Sequence, residues 1–215
     1  MKKLDKKYKK IRFQKGMTHS KLFQGHPEYS RGMSYVELIV VLSIFSAMTS
    51  VVLFNYGLFQ GKVDVKNLAS DIALKIVEAQ KSSLSGTLPV QITAPTWKPS
   101  YGVYFDITTP KQFTYFVDLN NANGYEAGEA VATIDITKSN YIDGINRCIG
   151  DTCVPSSSIS PLSITFKRPD SSAVFKNSSG ITLPNDFDYI QIIVKSPKTS
   201  TAIIKVYPSG RIQVQ

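Results

Sequence analysis

The feature that most constrains this chain is an uncharged apolar run near its N-terminus. Residues 38–54 contain no charged residue, proline or glycine, and their polar residues are three serines and one threonine. A helix over residues 35–56 would extend about 33 Å, slightly more than the roughly 30 Å hydrocarbon core of a bilayer. The run therefore predicts a membrane-spanning helix.

A strongly basic segment precedes this run. Residues 1–32 carry ten basic and two acidic residues, a net charge of +8, whereas residues 33–215 carry 15 basic and 14 acidic residues, a net charge of +1. Positive charge before a span holds the N-terminus in the cytoplasm, which predicts that the chain after residue 54 lies outside. Both histidines lie in the basic segment, so a histidine triad or a histidine-ligated zinc is excluded beyond it.

An acidic residue stands at the start of the apolar run. Glu37 is the only charged residue between Arg31 and Lys62, and Gly32 lies five positions before it. A carboxylate within a span costs roughly 2.5–3.5 kcal/mol at the membrane centre, so its presence indicates a function. The run Arg31-Gly32-Met33-Ser34-Tyr35-Val36-Glu37-Leu38 resembles the class III signal of type IV prepilins and pseudopilins.

This resemblance implies processing and assembly at named residues. A prepilin peptidase would cleave after Gly32, Met33 would become the N-methylated first residue, and Glu37 would guide assembly. The new amine at Met33 would pair with Glu37 of the same or a neighbouring subunit, offsetting the cost of burying both charges. The implied partners are the peptidase, other pilin or pseudopilin subunits, the inner membrane and its assembly platform.

Two departures from the family pattern bear on the subunit type. The 32-residue leader is long, and Met17 offers an alternative start. Phe54 stands where many major pilins have a helix-kinking proline, which favours a minor subunit. A pilus, a type II secretion pseudopilus and a competence apparatus stay open as the machine.

The alternatives to a filament subunit are simpler. A signal-anchored extracytoplasmic binding protein would have the same span, with Glu37 incidental. A secretory signal cut within the span would need a shorter apolar run and a site with small residues at its end.

The pattern after the span predicts an amphipathic helix and then β-strands. Apolar residues recur at helical spacing up to about Ser85, and Gly86 is a candidate for the left-handed residue that ends the helix; the apolar positions are Val65, Leu68, Ile72, Ile76, Ala79 and Leu84. Alternating or aromatic runs then predict strands at 88–94, 101–106, 112–118, 129–136, 163–167, 189–195, 200–207 and 211–215.

These segments predict an α+β fold in which a long N-terminal helix packs on an antiparallel sheet, as in pilins. The expected divisions are a leader at 1–32, a membrane or filament-core half of the helix at 33–59, its amphipathic half at 60–86, and a β-rich ectodomain at 87–215. The YGVYF run and the Ser-Gly-Arg before the last strand resemble H-type minor pseudopilins of type II secretion and related minor pilins.

The two cysteines, Cys148 and Cys153, lie in the segment expected to be extracytoplasmic. A disulfide closing this short loop fits an oxidising compartment, while free thiols are the alternative. Two cysteines without histidine cannot complete a zinc site.

An oxygen-rich segment joins two of the predicted strands. Residues 118–129 include Asp118, Asn120, Asn123 and Glu129, and this composition and length suit a calcium loop. The glycine falls one position away from that expected for such a loop. A solvated hairpin turn at Asn123-Gly124 is the competing interpretation.

Gly210-Arg211 resembles the start of a basic DNA-binding motif in some minor pilins, so a DNA-capturing pilin of a competence system is a further alternative. The net charge of +1 after residue 32 argues against strong binding of nucleic acid, for which Arg211 is the candidate residue. No P-loop, nucleophile elbow or carboxylate pair indicates an enzyme.

Overall fold

The computed structural model describes residues 32–88, 98–155, 159–177, 180–184 and 186–215. The chain divides into two compact units, Met1–Phe45 and Ser46–Gln215. One helix and ten strands make up its described secondary structure, in the order α1 (Tyr35–Ser85), β1 (Ser100–Phe105), β2 (Gln112–Asp118), β3 (Ala130–Asp135), β4 (Tyr141–Ile149), β5 (Thr152–Pro155), β6 (Leu162–Phe166), β7 (Ala173–Lys176), β8 (Tyr189–Lys195), β9 (Thr201–Val206) and β10 (Ile212–Val214).

The fold class is α+β, as predicted, but the strands form two antiparallel sheets instead of one. The first sheet has the order β3-β2-β1-β6-β7 and the second the order β10-β9-β8-β4-β5. Seven predicted strands correspond to β1, β2, β3, β6, β8, β9 and β10. The strand predicted at 88–94 lies outside the described residues except for Leu88, which is not in a strand.

Strand β4 was not among the predicted strands, and without it the second sheet could not be predicted. It pairs with β8 on one side and with β5 on the other. Its sequence, YIDGINRCI, contains Asp, Gly and Asn, which are depleted in strands, and its register shifts between Ile142 and Gly144. This irregularity removes the strict alternation by which strands are recognised.

A single core joins the second half of α1 to both sheets. Spacing of three and four residues along the helix places one face inward, where burial of large apolar side chains supplies most of the stabilisation. The fully or almost fully buried residues of this core include Val65, Ala69, Ile72, Ile76 and Ala79 of α1, Val103 and Ile164 of the first sheet, and Ile192 and Ile204 of the second.

The predicted stripe is wrong at its C-terminal end. Leu84 is 41% exposed, whereas Ser83 is fully buried. Position 83 continues the spacing from Ile76 and Ala79, while position 84 lies one residue further around the helix. The Ser83 hydroxyl accepts a hydrogen bond from the main-chain N–H of Tyr101 at 2.7 Å, so its burial leaves no unpaired polar group on that oxygen.

Helix α1 ends before Gly86, as predicted from the sequence. Gly86 has φ +63°, its N–H donates to the Ser83 carbonyl, and the Thr87 N–H donates to the Ser82 carbonyl. This is the Schellman arrangement. Arg168 then donates to the carbonyls of Ser83 and Leu84, both at 2.7 Å, which places a cation at the negative end of the helix dipole.

Candidate functional site

The residues that resemble a class III prepilin signal lie at the start of α1. Gly32, Met33 and Ser34 precede the helix, and Glu37 lies in its first turn. The Leu38 N–H donates to the Ser34 carbonyl at 3.1 Å, which begins the helical hydrogen bonding. A carboxylate in the first turn is favoured by the helix dipole. Residues 1–31 of the leader lie outside the described residues.

Gly32 and Glu37 are both accessible. No atom lies within 4 Å of a side chain built at Gly32, Met33 is 65% exposed, and Glu37 makes no ion pair with a described residue. A protease could therefore reach the bond after Gly32, and the Glu37 carboxylate is open to a group from another molecule.

The apolar surface of α1 is uncovered in the described structure. An 18-residue window of the helix has a mean hydropathy of 2.3 and none of it is buried, so by length and composition the helix could cross a membrane. Large apolar side chains are exposed on all sides of the helix. They include Leu42, Ile44 and Phe45 in the first unit and Met48, Val52, Leu53, Phe54 and Phe59 in the second. Exposed apolar surface of this extent marks a site of contact with a membrane or with another protein.

The loop between β2 and β3 is organised by two buried carboxylates. The Asp118 oxygens accept the main-chain N–H groups of Ala122 and Asn123 at 3.0 and 2.9 Å. The Glu129 oxygens accept those of Leu119 and Glu126, both at 2.9 Å. Each carboxylate oxygen thus satisfies a donor of the loop, as in an Asx-type turn.

Burial raises the pKa of both carboxyl groups. Asp118 is fully buried and Glu129 is 4% exposed, and loss of water disfavours their charged forms. The main-chain donors oppose this effect and lower both pKa values, while the Asp118 charge raises that of Glu129. The net direction is upward for both groups.

The other two candidate calcium ligands lie in the same loop. Asn120 donates to a Glu126 oxygen at 2.8 Å, and the side-chain oxygen of Asn123 is buried without a hydrogen-bond partner. Within the described residues, no group of three or more His, Cys, Asp or Glu side chains could hold a metal. The Glu129 N–H donates to the Glu126 carbonyl at 3.2 Å, so the hydrogen-bonded turn of this loop lies at residues 126–129 and not at Asn123-Gly124. Calcium binding stays a prediction.

Replacing Asp118 with asparagine should destabilise the ectodomain. The amide nitrogen would face a main-chain N–H that now has an acceptor, and an unpaired buried donor costs about 1–3 kcal/mol. Thermal unfolding of the detergent-solubilised full chain would measure this cost. The exposed Asp135→Asn is the matched control, and an equal effect of both variants would contradict the role given to Asp118.

The pH dependence of this effect has a defined sign. Because the pKa of Asp118 is raised in the folded chain, the stability from its protonation is complete below the unfolded pKa of about 3.9 and is lost as pH rises through the folded value. Asp118→Asn removes this titration. Wild type should therefore gain stability relative to the variant as the pH is lowered from neutral.

Cys148 and Cys153 form the predicted disulfide. They are directly opposite each other on β4 and β5, with their Cα atoms 4.1 Å apart, and Gly150 at φ +56° lies in the tight turn between these strands. Cys148 is fully buried. The disulfide therefore ties the edge strand β5 to the second sheet.

Arg211 follows the turn that joins β9 to β10. Its guanidinium lies 3.8 Å from the centre of the Tyr207 ring, and Gly210 at φ +82° makes the turn. This contact occupies one face of the cation. Binding of DNA by Arg211 stays a prediction.

Sequence reasoning missed a group of three lysines that the fold brings together. Lys62, Lys66 and Lys198 line one open groove. The spacing of Lys62 and Lys66 just after the apolar run is visible in the sequence, but the approach of Lys198 depends on the packing of the β8–β9 turn against α1.

Comparison with known proteins gives a distant structural likeness. No family model matches the chain, and no curated protein matches it. Among solved structures, the chain is similar to the minor pseudopilin EPSH from the type II secretion system of Vibrio cholerae, with 11% sequence identity and a TM-score of 0.38. The likeness covers 71% of this chain and 94% of that one.

Proposed function

We propose that this chain is the precursor of a pilin-like filament subunit. It is cleaved after Gly32 by a prepilin peptidase, methylated at Met33, and assembled through the N-terminal half of α1 into an extracytoplasmic pilus or type II secretion pseudopilus as a minor subunit. The observation that carries the proposal is the exposed apolar part of α1, whose single acid, Glu37, lies in the first turn of the helix, five residues after an accessible glycine.

The physical argument concerns what can cover this helix. A bilayer covers the apolar side chains but leaves a carboxylate in its first turn with only the helix dipole as compensation. A bundle of identical or related helices covers the same surface and brings a Met33 amine near each Glu37. Paired charges lower the cost of burial, so the charge favours a packed bundle over a plain anchor.

Processing is tested by mass spectrometry of the N-terminal peptide from the membrane fraction. We expect a chain that begins at Met33 and is heavier by one methyl group. Gly32→Val should leave the leader attached, while Gly25→Val, in the same leader, should be processed normally. Because a side chain at position 32 meets no described atom, loss of cleavage could not be attributed to misfolding.

Two results would redirect the proposal. A chain that keeps residues 1–32 would indicate a signal-anchored binding protein with its ectodomain outside the membrane. A chain that begins within or after the apolar run would indicate a secreted domain and would remove the role given to Glu37.

A further inference from the structure

Three lysines form a basic groove just beyond the exposed apolar part of α1. The groove has a volume of about 610 Å³, and Lys62, Lys66, Lys198, Ser200 and Thr201 are among the residues that line it. We name it the lysine groove. All of these residues belong to the unit Ser46–Gln215.

The fold builds the groove by close approach of a turn to the helix. Lys62 and Lys66 are four residues apart and therefore share one face of α1, while Lys198 comes from the turn between β8 and β9. Gly57 and Gly61 lie beside this turn. A side chain built at Gly57 would lie 3.3 Å from the Lys198 Nζ atom, and one at Gly61 would lie 3.5 Å from its Cβ atom.

The three lysines of the groove are not paired with an acidic side chain of the described residues. Lys198 Nζ donates to the Gly57 carbonyl at 3.3 Å, a neutral acceptor, and none of the three lysines forms an ion pair with a described side chain. Asp64, which lies between Lys62 and Lys66 in the sequence, is paired with Lys138 at 2.6 Å. The three like charges repel one another until an anion enters.

The groove also has donors without a partner. The hydroxyls of Ser200 and Thr201 make no hydrogen bond with a described residue. Gln215 lines the groove as well, but its main-chain N–H and oxygen are both paired with Ile203. Ammonium and hydroxyl donors around one opening suit the several oxygens of a phosphate group.

The position of the lysines along the helix identifies the source of this phosphate. Lys62 is the first charged residue after Glu37, and Phe59, which is 66% exposed, lies three residues before it. The helical rise places Lys62 about 4.5 Å and Lys66 about 10.5 Å beyond Phe59 along the axis. The headgroup layer of one leaflet is roughly 5–7 Å thick, so these lysines bracket its outer boundary.

We propose that the lysine groove binds the phosphate of an anionic phospholipid in the outer leaflet of the membrane that α1 crosses. The contact would hold the ectodomain against the membrane before the subunit is extracted. This inference rests on the membrane-anchoring part of the proposed function, and it requires neither cleavage after Gly32 nor assembly through Glu37.

Photocrosslinking with a headgroup-labelled lipid tests the proposal. The full chain is reconstituted into phosphatidylcholine vesicles that contain a minor fraction of photoactivatable phosphatidylglycerol, and crosslinked peptides are mapped by mass spectrometry. Peptides that contain residues 62–66 and 196–201 should be labelled about fivefold more than with a photoactivatable phosphatidylcholine, because only the former carries net negative charge. Because the labelled peptides are identified, labelling of the groove is distinguished from labelling of the basic leader.

Two triple variants that remove the same charge test whether the three lysines of the groove hold the lipid. Lys62→Gln, Lys66→Gln and Lys198→Gln combined should lower the labelling of these peptides about fivefold. The control combines Lys75→Gln, Lys81→Gln and Lys111→Gln, which removes the same charge from the second half of α1 and from the segment before β2 and should leave labelling unchanged.

Three results would overturn the inference. They are equal labelling by the two lipids, undiminished labelling of the groove variant, and loss of labelling when inorganic phosphate is added at constant ionic strength. The last would show a site for a soluble anion. If the chain is processed and assembled normally but gives any of these results, the lipid site is refuted and the proposed function is not. If the groove is labelled in a chain that keeps its leader, the lipid site stands and the proposed processing is refuted.

Discussion

Replacing Glu37 with glutamine is expected to remove the chain from the filament while its amount and processing in the membrane stay unchanged. Glutamine keeps the size and the helical propensity of the side chain but loses its negative charge. The amine of Met33 in the assembled bundle would then lie in an apolar environment without a counter-charge, and breaking such a pair costs about 3–5 kcal/mol. Each subunit would incur this cost on incorporation.

The measurement is the ratio of filament-associated to membrane-associated subunit, determined by shearing and immunodetection together with the N-terminal mass. We expect this ratio to fall by more than about 100-fold, the equilibrium equivalent of the lower end of that cost. Glu78→Gln is the control, since Glu78 lies on the same helix in a solvent-exposed pair with Lys75. Normal incorporation of the Glu37 variant would refute the assembly role and would favour a signal-anchored binding protein.

Replacing Gly102 with alanine is expected to cause the largest loss of stability in the ectodomain. Gly102 lies on β1 between β2 and β6, opposite Phe116 on one side and Thr165 on the other. An added Cβ atom would lie 2.6 Å from the Cζ atom of Phe116 and 2.6 Å from the main-chain oxygen of Ile164. The ring could move, but the oxygen belongs to the sheet, so relief requires distortion of the β1–β6 pairing.

We expect the cost to reach or exceed the upper end of about 1–3 kcal/mol found for overpacked cores. Thermal or denaturant unfolding of the detergent-solubilised full chain would measure it. Gly144→Ala is the matched control: Gly144 also lies in a strand, but no atom is within 4 Å of its added Cβ atom, and its φ is not positive. This control should be neutral or slightly stabilising, because alanine restricts the unfolded chain.

A double variant separates the two contacts. Phe116→Leu shortens the side chain that covers Gly102 and should restore only part of the stability lost by Gly102→Ala, since the Ile164 oxygen stays in place. Complete recovery would show that the ring alone causes the strain. No loss of stability in Gly102→Ala would contradict the register of β1 against β6.

Several local features could be read from the sequence because each depends on neighbouring residues. The 3.6-residue period between Val65 and Ala79 requires one apolar face, and the turn at residues 208–210 joins two strands of alternating pattern. Gly86 ends α1 because glycine adopts φ +63° without the steric cost of a Cβ atom. The disulfide is also predictable, because the sequence has only two cysteines and they lie five positions apart.

Other features depend on contacts between segments distant in sequence. Asp118 and Glu129 look like metal ligands in the sequence, but the structure uses them as acceptors for the main chain of their own loop. The pairing of β4 with β8 creates the second sheet, although Asp143, Gly144 and Asn146 interrupt β4 with residue types that are depleted in strands. The register of a strand depends on which strand lies beside it, and the residues near that strand in the sequence do not specify this neighbour.

The amino-acid sequence is enough to predict the apolar helix, the acid at its start, the end of that helix and most of the strands, because these depend on side-chain period and backbone preference over a few residues. Packing between distant segments divides the strands into two sheets, turns Ser83 and not Leu84 toward the core, and brings Lys198 beside Lys62 and Lys66. Lys198, for example, donates a hydrogen bond to the carbonyl of Gly57, 141 residues before it. Packing of the whole core selects such contacts, and no short stretch of sequence encodes them.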